Sequence, residues 1–207
     1  MGNSFIILHL ELNAIKHFLD YIIQGSGEEI GEISQKNENG YFNEFDDYEN
    51  AISYPLLRQE IAVRAVFYEI TSLVEHELQN SAQKAWQLSK KHKGPKSLLE
   101  LCNLPNRDIR PLKMVSDLKF SDILKLIEEY YQIKAARLPG YTSVLKIREI
   151  VNAFKHRKGF KDFRKINPSK INLELYRPEV EEAYDAVKQT EIFIKALWAV
   201  TEHKTKS

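Results

Sequence analysis

Cysteine is nearly absent from this chain of 207 residues, and long apolar runs and a strong net charge are absent too. The single cysteine, Cys102, cannot form an internal disulfide and provides no cysteine cluster that could bind zinc. No apolar run approaches the roughly 20 residues that a bilayer-spanning helix needs. With 43% apolar and 29% charged residues, the composition is typical of a globular protein rather than of a disordered chain. These features predict a cytoplasmic protein without a membrane partner.

Charge is unevenly distributed along the chain although the net charge is only +1. Residues 1–50 carry ten acidic and two basic side chains, a net charge of −8. The remaining residues carry 28 basic and 19 acidic side chains, a net charge of +9. A basic C-terminal part favours an anionic partner, and neutralisation of one part by the other within the fold is the alternative.

Apolar residues recur at helical spacing along most of the chain, and no segment shows the sustained alternation of a strand. The pattern predicts long helices at about residues 4–24, 53–92, 121–136, 143–157 and 179–202. A short sixth helix fits residues 97–102. We therefore predict an all-α fold, an antiparallel bundle of five or six helices with residues 53–92 as its long spine.

Glycine and acidic residues mark a different N-terminal region. Gly25 and Gly27 predict that the first helix ends there, and the polar, acidic composition of residues 25–50 predicts a long loop. The sequence thus favours two parts: an N-terminal helix with an acidic loop as an extension at 1–50, and a helical bundle domain at 51–207.

The chain lacks most motifs of enzyme active sites. It has no glycine-rich phosphate loop, no His-Glu-x-x-His pair and no nucleophile-elbow motif. The six histidines are scattered in sequence, so neither a metal nor a cofactor is expected.

The most distinctive stretch, residues 147–159, reads IREIVNAFKHRKG. At 100° per residue, Arg148, Asn152, Lys155 and His156 fall within one polar arc of roughly 100°, directly beside the apolar face of the helix. Arginine and lysine bind phosphate, and histidine exchanges a proton near neutral pH. The arc therefore predicts a phosphate-binding site with an acid–base group. The alternative is that cations in this last turn only stabilise the C-terminal end of the helix dipole, by about 0.3–1 kcal/mol each.

This stretch resembles the signature helix of the HEPN superfamily. Members are all-α bundles, often metal-independent ribonucleases of toxin, abortive-infection or CRISPR-associated systems, and others bind only nucleotides or partners. The family motif is an arginine, then four to six intervening residues, then a histidine, often with asparagine directly after the arginine. Asn152 and His156 match that asparagine and histidine, whereas Val151 occupies the place of the arginine. Arg148 lies outside the family spacing, one helical turn before Asn152. The resemblance covers about residues 53–202.

The resemblance implies a role for each of these residues. His156 would act as the acid–base group in RNA cleavage with the 2′-hydroxyl as nucleophile, Arg148 would stabilise charge on the phosphate, and Asn152 would orient one of them. Active members are commonly homodimers in which two motif helices face each other. The expected function is therefore RNA binding or metal-independent RNA cleavage, in a bacterial defence or toxin system. The competing interpretation is a non-catalytic helical interaction or regulatory module with a protein partner.

A basic stretch with interleaved phenylalanines continues from the motif. Phe160 and Phe163 alternate with cations, a combination that can follow phosphates and stack on bases. The predicted RNA-binding residues are Lys155, Arg157, Lys158, Lys161, Arg164 and Lys165. The alternative is a solvated loop whose two phenylalanines anchor it to the core.

Overall fold

The computed structural model describes residues 2–88, 115, 118–157 and 178–203, and this part of the chain contains helices and no strand. The helices are α1 (Gly2–Glu38), α2 (Phe45–Leu88), α3 (Phe120–Tyr131), a 3-10 helix (Ala135–Arg137), α4 (Tyr141–Arg157) and α5 (Val180–His203). The predicted all-α fold is confirmed. Within the described residues, none of the helices has the length and hydropathy to cross a membrane. The short helix predicted at 97–102 lies outside the described residues.

The prediction of a long acidic loop at residues 25–50 is wrong. Helix α1 continues without interruption to Glu38, and α2 already begins at Phe45. The reason lies in the core pattern, because buried side chains recur at intervals of seven residues at Leu12, Leu19, Ser26 and Ile33. A heptad spacing keeps one face of a helix against its neighbour. Burial of this face therefore outweighs the local preference of the glycines to end the helix.

The long spine helix also begins earlier than predicted. Helix α2 has 44 residues, so it is about 66 Å long, and it contains Pro55 in its interior. The hydroxyl of Ser53, near the predicted start at residue 53, donates to the carbonyl of Asn50 at 2.7 Å inside the helix. A proline in a helix interior costs about 3 kcal/mol. Pro55 is buried, as are Ala62 and Val66 further along the helix, so tertiary packing offsets that cost. The predicted end near residue 92 lies outside the described residues.

The connection between α1 and α2 is short and is reinforced by charge. Gly40 has φ +71°, a left-handed conformation that favours glycine. Asp46 and Asp47 lie in the first turn of α2, where carboxylates stabilise the positive end of the helix dipole. Further along, Arg58 of α2 forms an ion pair with Glu29 of α1. These contacts join the two helices as an antiparallel pair.

Glycines in the second half of α1 provide a test of this helix. An added Cβ at Gly25, Gly27 or Gly31 would meet no atom within 4 Å, and each glycine is exposed. We expect each Gly→Ala change to raise the free energy of unfolding by about 0.5–1 kcal/mol, because alanine loses less backbone entropy in a helix. Urea unfolding measures this effect. Gly40→Ala is the control and should destabilise by about 1–2 kcal/mol, since its φ is positive. A loss of stability at the first three glycines would contradict a continuous α1.

The chain divides into two compact units, of which the first comprises Met1–Thr71 and Ser143–Glu191. Within this unit, Lys146 of α4 donates to Glu182 of α5 at 2.8 Å, and this bond holds the pKa of Glu182 below its ordinary value. The hydroxyl of Tyr184 donates to Asp20 of α1 at 2.5 Å. Burial, with the Asp20 carboxylate, raises the pKa of Tyr184 to about 12. Polar bonds thus connect α5 to both α4 and α1.

The second unit comprises Ser72–Thr142 and Ile192–Ser207. The indole of Trp198 donates to Glu77 at 2.7 Å, which ties α5 to the second half of α2. Tyr131 of α3 is buried, and its hydroxyl donates to the carbonyl of Ser81 at 3.4 Å. Burial raises the pKa of Tyr131 to about 12. Gln132, in the left-handed conformation, ends α3.

Candidate nucleic-acid interface

Helix α4 carries the residues singled out in the sequence, and its apolar pattern determines which way they face. It begins directly after Gly140, whose φ of +79° allows the chain to turn. Val144, Ile147 and Val151 follow at steps of three and four residues and are all buried. This buried face fixes the rotation of the helix, and the polar arc is left at its edge.

Arg148, Asn152 and His156 occupy successive turns of α4. Arg148 and Asn152 are half-buried, whereas His156 is exposed. The three residues share one side of one helix, but eight residues separate the first from the last, about 12 Å along the axis. Grooves elsewhere in the described chain, such as the one that includes Lys125 and Arg137, are lined by other side chains. The structure thus aligns the three predicted residues along a helix and spaces them by two turns.

Val151 occupies the position at which the HEPN motif has its arginine, and it lies in the core. Only 1% of its surface is exposed. A charged group at this position would be buried and would lose its hydration without reaching solvent. An arginine at position 151 would therefore conflict with the packing of α4.

Helix α2 contributes a second row of residues beside α4. The guanidinium of Arg64 lies 5.6 Å from the ring centroid of Phe154. The ammonium of Lys155 lies 5.5 Å from the ring centroid of Tyr68. Each helix thus supplies one cation and one aromatic ring, and each cation faces the ring of the other helix. We call Arg64, Tyr68, Phe154 and Lys155 the α2–α4 surface; His156 follows Lys155 in the sequence, about 100° further around α4.

The α2–α4 surface has the chemistry needed to hold a nucleic-acid strand. Cation–aromatic contacts at exposed sites contribute only about 0.5–1 kcal/mol. Lys155 is exposed, and Arg64, Tyr68 and Phe154 are half-buried, so part of each of these side chains remains open to solvent. Exposed His156 adds an acid–base group one residue from Lys155.

Arg64 and Tyr68 were not among the residues predicted from the sequence. They lie one helical turn apart on α2, each directly after a buried residue, Val63 and Phe67 respectively. The sequence shows that this cation and this aromatic ring would be neighbours on one side of a helix, beside its apolar stripe. The sequence did not indicate that the pair would lie against α4.

The basic stretch after α4 cannot be compared with the structure in the same way. Of the six predicted RNA-binding residues, Lys155 is placed on the α2–α4 surface. Arg157 is the last residue of α4, and its side chain lies outside the described part of the chain. Lys158, Lys161, Arg164 and Lys165 also lie outside the described residues, so their role stays a prediction.

Comparisons with known proteins do not extend the HEPN resemblance. The chain matches no protein-family model, no curated protein and no solved structure. The resemblance therefore rests on the sequence of α4 and on the helical fold. Any function must be argued from the residues of this chain.

Proposed function

We propose that the protein binds single-stranded RNA through the α2–α4 surface and cleaves it without a metal, in the manner of HEPN-like ribonucleases. The observation that supports this proposal is the pair of cation–aromatic contacts between α2 and α4, together with exposed His156, the residue that follows Lys155. Lysine and arginine neutralise phosphates, and rings stack on unpaired bases with about 1–3 kcal/mol per base. Single strands present such bases, whereas duplex RNA hides them.

The proposed chemistry assigns the proton transfer to His156. Its imidazole takes the proton of the 2′-hydroxyl, whose oxygen attacks the adjacent phosphorus to form a 2′,3′-cyclic phosphate. The bond from phosphorus to the 5′-oxygen of the next nucleotide breaks, and that oxygen takes a proton from water. Lys155, the neighbouring residue, is the cation placed to neutralise charge on that phosphate. Arg148 lies two turns away along α4 and binds a different phosphate of the same strand. Half-buried Asn152, between them, orients the strand.

Binding can be tested independently of cleavage. Lys155→Glu should weaken binding of a fluorescent single-stranded RNA and reduce the dependence of log K on log salt by about 0.7, because one phosphate contact is lost. Lys16→Glu is the matched control, since Lys16 is an exposed lysine on a different helix, α1. Its affinity should stay close to that of the wild type.

The aromatic contribution is tested with a second pair of variants. Tyr68→Leu should lower RNA affinity by about 1–3 kcal/mol, because a stacking ring is lost while an apolar residue is retained. Tyr41→Leu is the control, since Tyr41 is exposed in the connection between α1 and α2. The proposal fails if the wild type does not bind RNA, or if Tyr41→Leu and Tyr68→Leu behave alike.

A second candidate function is a non-catalytic interaction module. The observation that favours it is a row of exposed apolar side chains on α1, which includes Ile7, Leu10 and Phe18. Large contiguous apolar patches are rare on monomers and mark interaction sites. A protein that neither binds nor cleaves RNA would support this second function over the first.

A further inference from the structure

Helix α1 has a second apolar stripe that faces away from the core. Ile7, Leu10, Phe18 and Tyr21 are 55%, 61%, 46% and 76% exposed, respectively, and Ala14 lies exposed between them. At 100° per residue these five residues share an arc of about 80°. An unbroken row of exposed large apolar residues on a monomer is unusual and marks an interaction surface.

This exposed stripe is distinct from the heptad face that packs into the core. The buried residues of α1, which include Leu12, Leu19 and Ile33, centre on a direction about 120° around the helix from the exposed row. Within the residues that the structure describes, the row is left exposed, so it is available to a second molecule.

The spacing of the exposed stripe is self-complementary. If two α1 helices pack antiparallel about a two-fold axis at Ala14, then Ile7 lies opposite the partner's Tyr21 and Leu10 opposite the partner's Phe18. Each pair combines an aliphatic side chain with a ring, and Ala14 at the axis allows the helices to approach closely. Such a contact uses the same patch on both copies, as a two-fold homodimer requires. We propose that the protein forms a homodimer through this face of α1.

The size of the stripe is in the range that a dimer needs. Together with exposed Ile6 at its edge, the row leaves roughly 600 Å² of side-chain surface uncovered, against the about 800 Å² that one partner contributes to a standard interface. Two such faces together would bury about 1,200 Å², the lower limit of a standard interface.

Charge argues against the other common occupant of an exposed amphipathic helix, a membrane surface. Residues 6–21, which contain the whole stripe, carry one lysine, Lys16, against Glu11 and Asp20. Helices that lie on a membrane surface are typically rich in Lys and Arg, which anionic lipid headgroups attract. The proposed dimer also differs from the one implied by the HEPN resemblance, in which motif helices meet, because the stripe is on α1 and the motif is on α4.

Disulfide trapping tests the position of the two-fold axis. In a full-length Cys102→Ser background, Ala14→Cys should form an intermolecular disulfide under mild oxidation and give a species of twice the 24.1 kDa chain mass on non-reducing gels. Lys16→Cys, exposed on the opposite side of α1, is the matched control and should remain monomeric on the same gel. Equal cross-linking at both positions, or none at Ala14→Cys, would overturn the proposal.

Solution mass tests the stripe itself. Sedimentation velocity of the wild type over a dilution series should show a dimer, and Leu10→Glu should convert it to a monomer with unchanged helical circular dichroism. Leu56→Glu is the control, because Leu56 is 49% exposed on α2, and it should leave the dimer intact. A monomeric wild type at all concentrations, or a dimer that survives Leu10→Glu, refutes a dimer through α1. RNA binding is measured separately on the α2–α4 surface, so either proposal can fail alone.

Discussion

Replacing His156 with alanine is expected to reduce the rate of RNA cleavage by 10²–10⁴-fold, because the acid–base group of the proposed reaction is removed. The fold should not change, since His156 is exposed near the end of α4 and exposed substitutions usually alter stability by less than about 0.5 kcal/mol. The measurement is the initial rate of cleavage of a mixed RNA pool in the presence of a metal chelator. Circular dichroism and thermal unfolding verify the fold of the variant.

His76→Ala is the matched control for this experiment. His76 is another exposed histidine, but it lies on the second half of α2. The His76→Ala variant should cleave RNA at the wild-type rate. If both variants retain full activity, His156 is not the acid–base group. If RNA is bound in a salt-dependent manner but never cleaved, the binding surface stands and the catalytic assignment falls.

Val151→Arg is expected to destabilise the protein by about 3–5 kcal/mol rather than to restore a catalytic arginine. Val151 is 1% exposed on the buried face of α4, so the new guanidinium would be buried without a partner. The free energy of unfolding in urea measures the loss. The sequence alone allowed a different outcome, because position 151 lies at the edge of the apolar arc, where a long side chain could extend into a cleft.

Leu145→Arg is the control for that substitution. Leu145 lies on the same helix but is 39% exposed, so the same new charge should cost less than about 0.5 kcal/mol. A Val151→Arg variant with wild-type stability would show that α4 is not packed as described. Increased RNA cleavage in that variant would then support a closer relation to the HEPN motif.

Much of the candidate site could be predicted from the sequence because it lies on one helix. The spacing of Arg148, Asn152 and His156 places them on one arc of any helix, whatever surrounds it. The helix predicted at 143–157 agrees closely with α4, Tyr141–Arg157, since its apolar stripe and the preceding Pro-Gly turn are local signals. Exposure is not local, and only the structure distinguishes exposed His156 from half-buried Arg148. The contribution of Arg64 and Tyr68 required knowledge of which helix packs beside α4.

The sequence by itself determined the helical class of this protein, because the period of its apolar residues is a property of neighbouring positions along the chain. The tertiary structure decided where two of the helices continue or begin. Gly25 and Gly27 favour a helix end and Pro55 favours a helix start, and each of these preferences is worth at most a few kcal/mol. Burial of Leu19, Ile33 and the other heptad residues exceeds the preference of the glycines, so α1 extends through them. Burial of Pro55 and of other residues of α2 likewise lets α2 extend through its proline. Which residues are buried depends on partners distant in sequence, and only the folded chain reveals them.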